Sequence, residues 1–118
     1  MTAYKQGNIV LVDFGFSERT GSKKRPALII SGEQYHKSRQ EIIAAAITSN
    51  TQRILFGDTK IVDWKEANLI HPSLVTGIIR TIKAVLVLKE LGALSKQDMQ
   101  KVQENLQQVF GYVRNSNY

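Results

Sequence analysis

Lys23-Lys24-Arg25-Pro26-Ala27-Leu28-Ile29-Ile30-Ser31 sets a cationic run and a proline directly ahead of a short apolar run. A second apolar run, Ile42-Ile43-Ala44-Ala45-Ala46-Ile47, ends in Thr48-Ser49-Asn50. Each reads as a buried strand with polar groups at one end, over residues 25–31 and 41–48. Pro26 stands at a strand start, one of the few places where a sheet accepts a residue without an N–H. By propensity alone the three alanines leave the second run open to a helical reading. If the two strands are neighbours, a guanidinium and a hydroxyl converge on one pocket. That pairing suits the charge of a phosphodiester, and RNA cleavage is the chemistry it points to.

Working outward, residues 8–14 (Asn-Ile-Val-Leu-Val-Asp-Phe) are β-branched and aromatic and predict a first strand. Residues 15–24 are polar and glycine-bearing and predict a surface loop. Residues 32–39 form a connection with room for a helical turn. Residues 54–59 predict a short strand, residues 63–69 a loop or single turn, and residues 73–75 and 78–82 two further short strands. Gly77 between them marks a bulge or bend. Residues 84–91 are open between strand and helix, and Gly92 is read as a break. Ser95 opens a helix, with Asp98 placed as the reciprocal partner of a capping box. Met99, Val102, Leu106, Val109 and Phe110 then recur at helical spacing and form one apolar stripe. The expected architecture is a mostly β, α+β domain over residues 1–118: a small SH3-like barrel or half-barrel with a C-terminal helix.

The chain has 118 residues, the size of one ordinary domain, and can bury a core without covalent staples. It contains no cysteine, which removes disulfides, thiol nucleophiles and thiolate metal sites. No apolar run is long enough to span a membrane, and the first residues carry no signal-peptide core, so the cytoplasm is the expected compartment. Sixteen basic side chains stand against ten acidic ones, a formal charge of +6. Arg19, Lys23, Lys24 and Arg25 cluster with no acid among them, which favours a polyanionic partner. Asp58, Asp63 and Glu66 lack the spacing of a calcium loop, and the glycines form no nucleotide-binding fingerprint. No metal or cofactor is expected.

The runs Gly7-Asn8-Ile9-Val10-Leu11-Val12-Asp13-Phe14, Lys24-Arg25-Pro26-Ala27-Leu28-Ile29-Ile30-Ser31 and Ile47-Thr48-Ser49 together resemble the MazF/PemK toxin family. Leu69-Ile70-His71-Pro72-Ser73-Leu74-Val75 and Leu91-Gly92-Ala93-Leu94-Ser95 resemble its later pattern. The resemblance spans almost the whole chain, and the Arg-Pro strand with its downstream Thr-Ser is its most specific part. It implies a MazF/CcdB-like fold and a sequence-selective endoribonuclease that acts on single-stranded RNA and inhibits translation. It also implies a homodimer neutralised by a cognate antitoxin. The reaction it implies is a metal-independent transesterification leaving a 2′,3′-cyclic phosphate and a 5′-hydroxyl. Arg25 matches the family's active-site arginine and Thr48 its active-site hydroxyl.

Three departures from the family pattern stand out. Asn8 stands where relatives often carry Asp. Thr20 occupies the place of a loop acid, with Glu18 nearby. Thr76 and Gly77 stand where some relatives have an Arg and an Asp. The relatives' acid and base roles therefore do not carry over.

Cleavage of RNA through its own 2′-hydroxyl requires proton removal, stabilisation of a dianionic phosphorane and protonation of the 5′-oxygen. Arg25 suits the second task, because its planar fork holds two phosphoryl oxygens and keeps its charge. Thr48 can donate to a non-bridging oxygen or orient the 2′-hydroxyl. Lys23 and Lys24 are candidate phosphate contacts, Ser22 a further RNA-binding candidate, Phe16 a base-stacking platform or a loop anchor, and Ser49 and Asn50 contacts to RNA or turn formers. For proton transfer the candidates are Glu18, in the loop, and His36, in a polar connection read as solvated. His71, the other histidine, is an equal candidate for that role, although it precedes Pro72 in a segment read as structural. Trp64 is read as core or interface.

Two rival functions share this sequence. One is a CcdB-like toxin that binds gyrase; the polar end Arg114-Asn115-Ser116-Asn117-Tyr118 lacks the Trp-Gly-Ile terminus such toxins use. The other is a non-catalytic RNA-binding or regulatory module, which the missing family acids allow.

Overall fold

The computed structural model describes residues 4–13 and 24–112. Six strands and two helices follow in chain order: β1 Asn8–Asp13, β2 Lys24–Ile29, α1 Glu33–Arg39, β3 Glu41–Thr48, β4 Thr59–Lys60, β5 Leu74–Lys83, β6 Val87–Ala93 and α2 Lys96–Phe110. All strands join one antiparallel sheet in the order β4-β5-β3-β2-β1-β6. Among the described residues β4 and β6 are its edges, so the sheet curls without closing. Of the barrel and half-barrel expected, the open form is found.

Both sheet faces are apolar because both are covered. Ile9, Leu28, Ala45, Ile47 and Val75 lie on one face beneath Val102 and Leu106 of α2. Val10, Val12, Ala27, Ile29, Ile42, Ala44, Ala46 and Ile82 lie on the other. Tyr4 and Val87 pack against that second cluster. Tertiary burial on two sides thus settles Ala44-Ala45-Ala46 as strand, where propensity was neutral.

Several expectations are corrected. The two strands expected over residues 73–75 and 78–82 are one strand, β5. Its register against β3 shifts between Ala45 and Ile47, leaving Thr76-Gly77-Ile78 as a bulge. Thr76 Oγ1 donates to the Ala46 carbonyl at 2.8 Å and accepts from Ile78 N at 3.1 Å, replacing ladder bonds the bulge removes. Residues 54–58 are not strand: Asp58 Oδ2 accepts from Leu55 N at 2.8 Å in a turn at Gly57, where φ is +93°. Only Thr59–Lys60 pair with β5. Residues 84–91 divide into a 3-10 turn, Ala84–Leu86, and most of β6. Gly92 lies within β6 and does not break it. A Cβ there would collide with the carbonyl of Ala67, so glycine serves a close backbone approach. Phe110, expected on the apolar stripe of α2, is 52% exposed and lies beside Tyr112.

Ser95 caps α2 as expected, its hydroxyl accepting from Asp98 N at 3.2 Å. The Asp98 carboxylate does not complete a capping box. It is 2% exposed and accepts from Val62 N at 3.1 Å and Asp63 N at 2.8 Å. It thereby ties the first turn of α2 to the segment after β4, with the helix dipole favouring its charge. No helix among the described residues is long and apolar enough to cross a membrane.

Replacing Asp98 with alanine leaves two part-buried N–H groups unpaired and should remove about 2 to 3 kcal/mol of stability, read as a lower urea midpoint at unchanged slope. Gly92→Ala should cost about 1 to 3 kcal/mol through overpacking against Ala67, read in the same assay.

Candidate active site

The cleft arises where the β2–β3 ladder stops. Ala27 pairs with Ala46, Leu28 with Ala45 and Ile29 with Ala44. Continued two residues further, that register sets Arg25 opposite Thr48, past the last pair the ladder makes. Pro26 has no N–H to give to β3, so the strands part there. Alternation puts Arg25 on the face of Ala27 and Ile29, and Thr48 on that of Ala44 and Ala46. The two functional candidates therefore share one face.

A cleft of about 490 Å³ opens at this end of the sheet. Lys24, Arg25, Thr48 and Ser49 line it together with Asn68 and His71. Its apolar walls come from Leu11, Pro26, Ile47, Leu69, Ile70 and Leu91. Residues of both sheet faces contribute because the cleft lies at the sheet's margin.

Arg25 is half-buried, and its Nε is buried with no hydrogen-bond partner among the described residues. Buried donors are nearly always paired, so this N–H is an exception, on a side chain that lines the cleft. Thr48 Oγ1 accepts from Asn50 N at 3.1 Å, which holds the oxygen while its proton stays available to donate. Lys24 adds an exposed cation at the same end of β2. Among the described lining residues there is no carboxylate. The cleft is consequently a cationic, hydroxyl-bearing niche suited to an anion with two accessible oxygens.

The remaining candidates fall in three groups. Ser49 lines the cleft. Asn50 does not; its Oδ1 accepts from Gln52 N at 3.3 Å, the turn-forming role of the two considered. Phe16, Glu18, Ser22 and Lys23 lie outside the described residues.

His36 is not brought to the cleft. It lies on α1 beside a separate cavity of about 670 Å³, with Tyr4, Lys37 and Lys83. It is not solvated as expected either. Its Nδ1 lies 3.1 Å from the Tyr4 carbonyl and its Nε2 2.6 Å from Ser31 Oγ, which accepts from Ile43 N at 2.9 Å. A carbonyl can only accept, so Nδ1 donates to it, while Nε2 shares a hydrogen bond with the Ser31 hydroxyl, which also lies 3.5 Å from the Ile43 carbonyl. Nearby, Arg39 Nε donates to Glu41 Oε1 at 2.7 Å, and that bond raises the arginine's already high pKa.

Sequence reading missed the wall formed by residues 68–73. That wall is built by long-range bonds: Asn68 Nδ2 donates to the Leu91 carbonyl at 3.0 Å, and Ile61 N donates to the Ser73 carbonyl at 3.0 Å. Asn68 takes a left-handed φ of 64°, and Leu69 N closes the turn on the Trp64 carbonyl at 3.0 Å. No local spacing signals these contacts. Trp64 is partly buried against the core, as expected.

Comparison with known proteins accords with this geometry. The sequence profile of the family described as PemK-like, MazF-like toxin of type II toxin-antitoxin system matches residues 5–110. No curated protein matches the chain. Among solved structures, an endoribonuclease in complex with its cognate antitoxin from a mycobacterial species superimposes with a TM-score of 0.78 at 18% identity, covering 96% of this chain and 100% of that one. A MazE–MazF complex from Deinococcus radiodurans gives 0.78 at 16% identity, covering 96% and 100%. The toxin MazF-mt6 of Mycobacterium tuberculosis gives 0.74 at 23% identity, covering 91% and 99%. At such identities these likenesses establish the fold.

His36→Ala should cost about 1 kcal/mol of stability by removing the ring's hydrogen bonds to the Ser31 hydroxyl and the Tyr4 carbonyl. The amide resonances of Arg25 and Thr48 should stay in place, because the ring acts away from their cleft.

Proposed function

The chain belongs to the family of PemK-like, MazF-like toxins of type II toxin-antitoxin systems, and from that premise we propose that it is a sequence-selective endoribonuclease. Its substrate is single-stranded RNA, cut by attack of the 2′-hydroxyl on the adjacent phosphorus to leave a 2′,3′-cyclic phosphate and a 5′-hydroxyl. The outcome is inhibited translation and growth. The observation that carries this reading is the unpartnered Arg25 Nε beside a cleft that Thr48 also lines. The endoribonuclease and MazF structures that share its fold support it.

Arg25 would hold the non-bridging oxygens as negative charge grows on them, and a fixed cation needs no reorganisation at that moment. Thr48 would donate to one of these oxygens or orient the nucleophile. Lys24 and Ser49 would grip the flanking backbone, contributing affinity more than base choice. The same cationic cleft suits an acidic antitoxin segment that orders on binding, and structures of such toxins with their antitoxins support a protein partner of this kind. The working form is a homodimer in the cytoplasm, where transcripts are met.

Arg25→Ala and Thr48→Val should each lower kcat by about 10²- to 10³-fold while keeping the parental melting temperature within a few degrees. Cleavage is read in EDTA on an unstructured transcript, with the fragment ends identified chemically. Parental rates in both folded variants would remove the proposal. RNA binding without fragments would favour a non-catalytic module, and inhibition of gyrase without RNA cleavage would favour a CcdB-like toxin.

A further inference from the structure

We propose that His71 is the group that takes the proton from the 2′-hydroxyl, an assignment that rests on the endoribonuclease reading above. The described residues lining the cleft offer two cations, Lys24 and Arg25, the hydroxyls of Thr48, Ser49 and Ser73, the amide of Asn68 and the imidazole of His71. Guanidinium stays charged, and hydroxyls and amides are not bases near neutrality. Imidazole is the side chain in that set suited to exchanging a proton there.

The two histidines stand in opposite states. Both ring nitrogens of His36 are engaged, by Ser31 and by the Tyr4 carbonyl. The exposed His71 ring has no hydrogen-bond partner among the described residues, so its basic nitrogen is open to substrate. Its backbone, by contrast, is held. The Ser73 hydroxyl donates to the His71 carbonyl at 2.8 Å, and Ser73 itself is buried. Pro72 confines the residue before it to extended conformations. A free ring on a pinned backbone is what a proton acceptor at a cleft wall requires.

In the step itself a ring nitrogen of His71 removes the 2′-hydroxyl proton as the 2′-oxygen bonds to phosphorus. The bond from phosphorus to the 5′-oxygen breaks, and solvent supplies the proton that the 5′-oxygen gains. The imidazolium then returns its proton to solvent. Protons and charge balance, and one phosphodiester becomes one cyclic phosphate and one 5′-hydroxyl.

The test is the pH dependence of kcat/KM from pH 5 to 9 at one reporter bond of an unstructured RNA transcript. It compares the parental chain with His71→Ala, His71→Gln and Glu18→Gln. The parental rate should fall on the acid side as the base becomes protonated. His71→Ala should lower the plateau by about 10²- to 10⁴-fold and abolish that acid limb. Added imidazole should restore rate to His71→Ala in proportion to its free base, and Glu18→Gln should keep the limb. His71→Gln serves the same comparison if the alanine variant melts early. An acid limb that survives in either His71 variant, a limb lost in Glu18→Gln, or a slowed His71→Ala that imidazole does not rescue would each overturn the assignment. Those outcomes leave the nuclease reading standing, whereas no cleavage by the parental chain removes both.

Discussion

The pairing of β2 with β3, and its end at Pro26, is the constraint on which the rest of the molecule depends. The register that sets Ala27 against Ala46 is the one whose continuation brings Arg25 and Thr48 to the same end of the two strands. A shift by one residue would exchange the two faces of a strand and take the guanidinium away from the hydroxyl. The register is held by burial on both sides, since Leu28 and Ala45 belong to one apolar cluster and Ala27, Ile29, Ala44 and Ala46 to the other. Site geometry and core packing are therefore one choice. A proline without an N–H then lets the strands separate where the cleft opens.

Around that pair the fold works to bring a distant segment to the cleft. Asp98 anchors the start of α2 to Val62 and Asp63. Gly92 lets β6 meet the Ala67 carbonyl, and Asn68 bonds to Leu91 from the same turn. These contacts hold residues 68–73 against the open end of β2 and β3. His71 is thus positioned by distant contacts of its segment together with the local hold of Pro72 and Ser73.

The two histidines illustrate how tertiary context reassigns residues of one type. By local composition His36 looked like the free, polar one and His71 the structural one. The fold reverses this, because α1 turns back on β3 and sets the half-buried His36 ring between Ser31 and Tyr4, while the turn at Asn68 leads His71 to the cleft wall. Asp98 shows the same effect: its spacing from Ser95 fits a capping box, yet two backbone N–H groups from another segment claim its carboxylate.

Legibility divides along the range of the interactions. The sequence by itself determined β1, β2, β3 and α2 closely, because apolar periodicity, strand-start proline and a capping serine act within a few residues. It also singled out Arg25 and Thr48 by side-chain chemistry, and the fold places both on one cleft. Only the tertiary structure decided that β5 is one bulged strand, that residues 54–58 turn instead of pairing, and that residues 68–73 wall the cleft. Those outcomes rest on hydrogen bonds and close packing between segments far apart in the chain, such as Thr76 to Ala46 and Ile61 to Ser73. A spacing rule reads neighbours along the chain, and the partners that settle these positions are neighbours only in space.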